Sequence, residues 1–220
     1  MNKEKNTFYF IAGAIAAGKS TFMENRLYNQ STRAANLFDH DKEKLMIQFF
    51  APDEKNIVKG ITISKALKNA IDDSLVKQKD FILQVHFTNE QLPQINTYFH
   101  KYGNQFNMEA HFISVDNVEI LKERAKKREN LGGHSSEAKS IDKTYKQSYR
   151  NFVEYLPKLN KATVWDNTEE YGITKMQPQF VFEKGKMTYQ NPQMTDFSKR
   201  LLEEANSKLQ KLNFDKGIEI

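Results

Sequence analysis

The stretch that decides the fold is Thr7-Phe8-Tyr9-Phe10-Ile11-Ala12-Gly13-Ala14-Ile15-Ala16-Ala17-Gly18-Lys19-Ser20-Thr21. Phe8 to Ala12 are apolar or aromatic without alternation, the pattern of a strand buried on both faces. Gly13 to Ser20 then follow the spacing G-x-x-x-x-G-K-[ST]. A strand, this loop and a helix opening at Lys19 make a cradle for phosphate groups. Backbone N–H groups at the helix N-terminus meet the anion, the lysine reaches the β- and γ-phosphates, and the last hydroxyl ligates magnesium. At average composition a chance match arises on the order of once in a hundred chains, and the strand-loop-helix context lowers that further. Gly13, Ala14, Ile15, Ala16, Ala17, Gly18, Lys19, Ser20 and Thr21 are therefore the expected ATP-binding residues. Lys19 is also a candidate catalytic group, and Ser20 the candidate magnesium ligand.

The same N-terminus has a second reading. Met1 to Thr7 is charged, Phe8 to Ala17 is largely apolar, and Ala14-Ile15-Ala16 has the small residues of a secretion-signal cleavage site. Gly18-Lys19-Ser20-Thr21, which a signal has no need of, favours the buried strand and loop.

Working outward, a helix is expected from Lys19 to Asn29, a short apolar segment at Asn36 to Phe38, and helices at Lys42 to Phe50 and Thr62 to Lys77. Phe81 to Phe87 reads as a second central strand, Glu90 to Tyr102 as a helix, and Ala110 to Val115 as a third strand. Asp116 then caps a helix from Val118 to Arg128, Gly132 to Ser136 breaks the pattern, and a long helix covers Ile141 to Leu156. Ala162 to Trp165 is a further strand, Phe180 to Glu183 and Met187 to Tyr189 flank a hairpin turn, and Asp196 to Leu212 closes with an amphipathic helix. Alternating strands and helices imply an α/β fold of the P-loop NTPase kinase type, a mostly parallel sheet covered by helices on both faces. With no repeat, low-complexity tract or linker in view, residues 1–220 are expected to form one domain.

Composition narrows the function classes. The 220 residues include 39% hydrophobic positions with 16 Phe and 9 Tyr, enough for a real core. The net charge of +5 suits a phosphate-rich ligand and equally an ordinary lysine-rich protein. Its lysines are spread along the chain and form no arginine-rich arm, which disfavours nucleic acid as a partner. Zero cysteines exclude disulfides, thiolate catalysis and Cys-ligated metals, and fit a reducing, cytoplasmic setting. No apolar run approaches the ~20 residues that cross a bilayer, so no membrane association is expected.

Neither a transporter-type signature nor an Asn-Lys-x-Asp guanine reader is present; Asn160-Lys161-Ala162-Thr163 does not fit the latter. After the third strand stand Arg124 and Arg128, four apart on one helix face. Small-molecule kinases place arginines there to neutralise the transferring phosphoryl group; taken alone, a solvated basic helix face is the better explanation of the pair. Their neighbours tip the balance. Arg124-x-x-x-Arg128-x-x-x-Gly132-Gly133-His134, then Ile141, Tyr145, Ser148, Arg150 and Asn151, resembles the lid region of the zeta toxin family. Trp165-Asp166-Asn167-Thr168 after a strand and Gly18-Lys19-Ser20-Thr21 resemble it too, so the likeness runs over residues 7–190.

That resemblance implies an ATP- and magnesium-dependent kinase acting on a hydroxyl of UDP-N-acetylglucosamine, with a small antitoxin protein as partner in some members. It also implies roles by position. Asp41, in Phe38-Asp39-His40-Asp41, matches the family's general base, a carboxylate able to take the acceptor hydroxyl's proton. Asp39 is the alternative, and a helix N-cap is the ordinary explanation of either. Arg124 and Arg128 match the lid arginines. Two positions depart from the family. An arginine before the aromatic at Tyr145 is here Lys143 or Thr144. The family's Glu-Thr-Thr-Leu appears as Gln84-Val85-His86-Phe87, so the substrate-binding carboxylate is replaced and Gln84 and His86 become the candidate acceptor-binding residues. His111 and the aromatics between Phe87 and Phe106 read as packing residues, and His40 carries no assignment. Two rival readings follow: a nucleotide-binding regulatory protein with a decayed substrate site, or an unrelated sugar or nucleoside kinase.

Overall fold

The computed structural model describes residues 5–23, 35–38, 43, 46, 55–133, 135–169 and 176–215. All but residues 43 and 46 of the helix expected at Lys42 to Phe50, the end of the helix expected to reach Asn29, and Asp39, His40, Asp41 and His134 lie outside the described residues.

Seven strands form one sheet in the order β2-β3-β1-β4-β5-β6-β7. The strands are β1 (Thr7–Ala12), β2 (Ala35–Phe38), β3 (Asp80–Gln84), β4 (Asn107–Ser114), β5 (Lys161–Asp166), β6 (Pro178–Glu183) and β7 (Lys186–Gln190). The first five are parallel, and the β6–β7 hairpin adds two antiparallel strands beyond β5. Helices α1 (Lys19–Phe22), α2 (Asn56–Val76), α3 (Leu92–Tyr102), α4 (Val118–Asn130), α5 (Ala138–Tyr155) and α6 (Asp196–Asp215) cover it.

Strand alternation sorts the core into two faces. Phe8, Phe10, Phe81, Leu83, Phe112 and Phe180 pack on one face against residues of α2, α3, α5 and α6. Ile11, Ile82 and Ile113 pack on the other against Phe22, Leu121 and Ile141. The unbroken apolar run of β1 follows from this, because β1 sits between β3 and β4 with both faces covered.

The expected strand Phe81 to Phe87 is shorter than its sequence suggests. Val85 still donates its N–H to Ile11 O at 2.9 Å, but Phe87 turns into the left-handed region with φ 52°. That conformation costs a bulky L-residue about 1–2 kcal/mol. Full burial of the ring, against Phe10, Phe152 and Tyr155, returns a similar ~1.5–3 kcal/mol. The chain therefore leaves the sheet after Gln84 and carries His86 in a loop. Other boundaries differ too: α2 begins at Asn56 rather than Thr62, α5 at Ala138 rather than Ile141, α6 ends at Asp215 rather than Leu212, and β4 begins at Asn107 rather than Ala110, where Thr7 of β1 already pairs with it.

Candidate active site

β1 lies at the point where the sheet order reverses, with β3 on one side and β4 on the other, and ligands of open α/β sheets bind beyond the strand ends at such a point. The loop after β1 is held from several sides. Gly13 has φ 139°, and a Cβ there would stand 2.5 Å from Ile113 O. Gly18 has φ 97°, and its Cβ would stand 2.5 Å from Asn167 Nδ2. Only glycine meets both conditions at both positions. Ile15 donates its N–H to Thr144 Oγ1 at 3.2 Å, and Asn167 Nδ2 donates to Ala17 O at 2.8 Å. Between them Ala16 has φ 62°. Gly18 caps α1, so the N–H groups of its first turn stand at the helix end, where a helix leaves such donors without intrahelical partners.

Lys19 is only 4% exposed. Its Nζ donates to Gly13 O at 3.0 Å and Ala14 O at 2.7 Å, so the loop's own carbonyls hold the ammonium inside the cradle. His86 Nδ1 lies 3.1 Å from Lys19 Nζ and 3.0 Å from Gly13 O. The ring serves one of them at a time: unprotonated Nδ1 accepts from the ammonium, and Nδ1–H donates to the carbonyl. Burial, reinforced by the Lys19 charge, lowers the His86 pKa to about 3, although the Gly13 carbonyl opposes the shift and the residue is not fully buried. Its backbone N–H is fixed by Gln91 Oε1 at 2.8 Å. Ser20 donates its exposed hydroxyl to Gln84 Oε1 at 3.0 Å. Lys19 and Ser20 thus form one group with His86 and Gln84, 67 and 64 positions away across the two bonds.

The two arginines of α4 diverge. Arg124 is half-buried and donates from one terminal nitrogen to Thr168 O at 3.1 Å, at the loop after β5. Arg128 is exposed and donates to Ser136 Oγ at 3.0 Å. Gly132 and Gly133 have a structural task beside Arg128. Gly132 takes φ 79°, and Gly133 N–H bonds Arg128 O at 2.9 Å, ending α4 in a left-handed cap. A Cβ on Gly133 would stand 2.7 Å from Arg128 Cγ. Lys143, one of the two positions where the resemblance expects an arginine, pairs with Glu90.

Thr144, Asn151 and Asn167 are site residues whose contacts sequence reasoning did not foresee. Asn167 appeared only within a resembling run, and Thr144 only as a departure; their partners lie 150 and 129 positions away. Beyond Asn167, Thr168 Oγ1 donates to Asp166 Oδ1 at 2.6 Å and accepts from Asp116 N–H at 2.9 Å, tying the ends of β4 and β5 together. Burial raises the Asp166 carboxyl, against the pull of its bonds from Thr168.

Among the described residues no cluster of three or more His, Asp or Glu could hold a metal ion. Ser20 donates its hydroxyl proton to Gln84 and so keeps its oxygen lone pairs for a cation. Such a donor set fits an ion held chiefly by nucleotide phosphates and water. No described helix is long and apolar enough to cross a membrane.

Parallel strands in the order 2-3-1-4-5, with a glycine-bounded loop at the reversal, define a P-loop kinase-type fold. Solved structures share it. The chain is similar to the structure of the Pnkp1/Rnl/Hen1 RNA repair complex, with TM-score 0.59, 20% identity and coverage of 70% of this chain and 47% of that one. It thus spans about half of that chain. It is also similar to the PezAT chromosomal toxin-antitoxin system of Streptococcus pneumoniae, with TM-score 0.55, 10% identity and coverage of 96% and 88%. A third similarity is to the AvrRxo1-ORF1:-ORF2 complex with ATP, with TM-score 0.58, 12% identity and coverage of 96% and 77%. No protein-family model matches the chain, and no curated protein does.

Proposed function

We propose that the chain is an ATP-dependent phosphotransferase of zeta-toxin type, moving the γ-phosphate of ATP to a hydroxyl of a small molecule. The observation that carries this reading is the buried Lys19 ammonium, held by Gly13 and Ala14 carbonyls at the mouth of α1. A cation placed there meets the β- and γ-phosphates, while backbone N–H groups of α1 receive the remaining charge. Ser20 would hold magnesium, which neutralises phosphate charge when bound.

Transfer joins the acceptor oxygen to the γ-phosphorus and breaks the bond to ADP. The hydroxyl proton goes to a carboxylate, and Asp41 takes that role by its resemblance to the family's base, with Asp39 as the alternative. Arg128, exposed beside the Gly132-Gly133 cap, would meet charge on the transferring group by its resemblance to the family's lid arginine. Arg124, anchored on Thr168 O, supports the same end of the site from the β5 loop. Gln84 and His86 receive the acceptor, and UDP-N-acetylglucosamine is the first candidate. The PezAT structure is of a toxin-antitoxin system, and AvrRxo1-ORF1 is found in complex with ORF2. A small antitoxin partner is proposed here on that analogy.

A second reading is favoured by Gln84 itself. Where relatives carry a carboxylate, a neutral amide turns its oxygen onto Ser20, as in a nucleotide-binding regulatory protein whose acceptor site has decayed. Incubation with γ-labelled ATP and UDP-N-acetylglucosamine separates the two. ADP plus a labelled sugar nucleotide supports the kinase; bound ATP with no labelled product from any hydroxylated acceptor supports the second reading. Failure to bind ATP overturns both.

A further inference from the structure

One face of α5 touches both loops of the site. Thr144, 6% exposed, accepts the Ile15 N–H of the phosphate loop at 3.2 Å and donates its own hydroxyl to Ile141 O at 3.0 Å. Two turns along the same helix Asn151, 7% exposed, donates from Nδ2 to Phe87 O at 2.6 Å and to Asn89 Oδ1 at 2.9 Å. Between them Gln147 accepts the Asn89 N–H at 3.1 Å. Residues 144, 147 and 151 recur at helical spacing and share one side of the helix.

The points they hold are the strained ones. Ala16, with φ 62°, follows Ile15, and Phe87, with φ 52°, follows His86. Non-glycine residues persist in that region only where their surroundings over-determine them, and such residues gather at functional sites. On the phosphate-loop side the over-determining bond is Thr144 to Ile15. On the other side it is Asn151 to the Phe87 carbonyl, together with the buried ring. The conformation at Phe87 sets the direction in which the preceding His86 leaves β3 and brings its ring to Lys19.

We infer that α5 is the positioning element of the site: Thr144 holds the phosphate loop at Ile15, and Asn151 holds the loop that aims His86 at Lys19. This rests on reading the Lys19 cradle as a phosphate site, and it adds that lid-side residues fix that cradle before any ligand arrives. Preorganisation of this kind appears in ligand affinity and local geometry rather than in global stability alone.

The test has two independent arms. The first follows the His86 ring of the ligand-free full chain by NMR between pH 7.5 and 5. Wild type is expected to stay neutral throughout, with Lys19 and the Gly13 carbonyl as the facing groups. Asn151→Leu releases the loop, and the ring is then expected to titrate near the ordinary histidine value of about 6.5. Should Asn151→Leu fold poorly, Asn151→Asp keeps the volume and, once ionised, removes both donors, with the same expectation. A ring that stays neutral to pH 5 in a destabilised but folded variant overturns the Asn151 role, as does a wild-type ring that titrates normally.

The second arm measures ATP binding. Thr144→Val removes the acceptor and is expected to weaken binding about five- to tenfold, the order of one buried hydrogen bond. Thr144→Ser is expected to restore affinity. Adding Ala16→Gly to Thr144→Val is expected to recover part of the loss, because glycine adopts φ 62° without strain. Equal affinities in Thr144→Val and wild type overturn this arm. If no variant and no wild type binds ATP, the phosphate-site reading fails, while the His86 titration still decides the Asn151 claim.

Discussion

Lys19 Nζ and His86 Nδ1 lie 3.1 Å apart, and burial beside that ammonium lowers the His86 pKa from 6.5 to about 3. The ring is therefore neutral in the folded protein near neutral pH. An imidazolium here would repel Lys19 and disorder the cradle.

This lowering makes stability depend on pH in a definite direction. Below the ordinary histidine pKa the unfolded chain takes up a proton that the folded chain refuses until about pH 3. The His86 contribution is therefore fully present above pH 6.5 and is lost as pH falls toward 3. At pH 5 the loss from this group is about 2 kcal/mol. Urea denaturation at pH 7.5 and 5, on wild type and His86→Gln, measures it. The variant is expected to lose less stability on acidification by about that amount; equal losses show that His86 is not buried neutral.

Lys19→Ala removes the charge on the β/γ-phosphates and is expected to abolish turnover, read as ADP formation. The change also leaves the Gly13 and Ala14 carbonyls without the donor they now share. A modest drop in melting temperature is expected alongside. A variant turning over ATP at the wild-type rate removes Lys19 from the site.

Arg124 and Arg128 are expected to respond differently. Arg128 is exposed and bonds Ser136, so Arg128→Ala should leave the melting temperature nearly unchanged and slow transfer more than it weakens ATP binding. Arg124 is half-buried on the Thr168 carbonyl, so Arg124→Ala should cost stability as well, about 1–3 kcal/mol for a charged hydrogen bond in such a setting. Thermal denaturation with kcat and ATP affinity for each variant tests the split. Identical profiles for the two make them one solvated basic face.

The shape of β1 and of the glycine-bounded loop after it was legible because its cause is local: five apolar positions, two glycines and a lysine within fourteen residues of chain from Thr7 to Ser20. The parallel sheet followed from alternation of strands and helices. The end of β3 was not legible. Phe81 to Phe87 reads as one strand, and only the packing of Phe87 against Phe152 and Tyr155 shows why the chain turns after Gln84. His111 was legible as a packing residue, and it accepts from Trp165 Nε1 at 3.0 Å between aromatic neighbours. Thr144 and Asn151 were illegible for a different reason: neither type nor spacing announces a hydroxyl or amide whose partner is a backbone group 129 or 64 positions away.

The acceptor preference turns on Gln84. It is the last residue of β3, and its Oε1 already receives the Ser20 hydroxyl at 3.0 Å. What the amide offers a ligand is therefore its two N–H donors. A glutamate in the same place would keep the Ser20 bond and present a second, charged oxygen to sugar hydroxyl or amide protons. Charged hydrogen bonds contribute ~1.5–3 kcal/mol against ~0.5–1.5 for neutral ones, and ~1.4 kcal/mol is a factor of ten in affinity. Wild type is expected to bind UDP-N-acetylglucosamine weakly, and Gln84→Glu about tenfold more tightly. An acceptor presenting a carbonyl, carboxylate or phosphate to Gln84 and His86 should show the reverse order. The measurement is calorimetric titration into protein held with a non-hydrolysable ATP analogue and saturating magnesium, so that any change in cation affinity at Ser20 drops out. Micromolar binding of the sugar nucleotide by wild type, unchanged in Gln84→Glu, would remove Gln84 from acceptor recognition and leave its bond to Ser20 as its whole role.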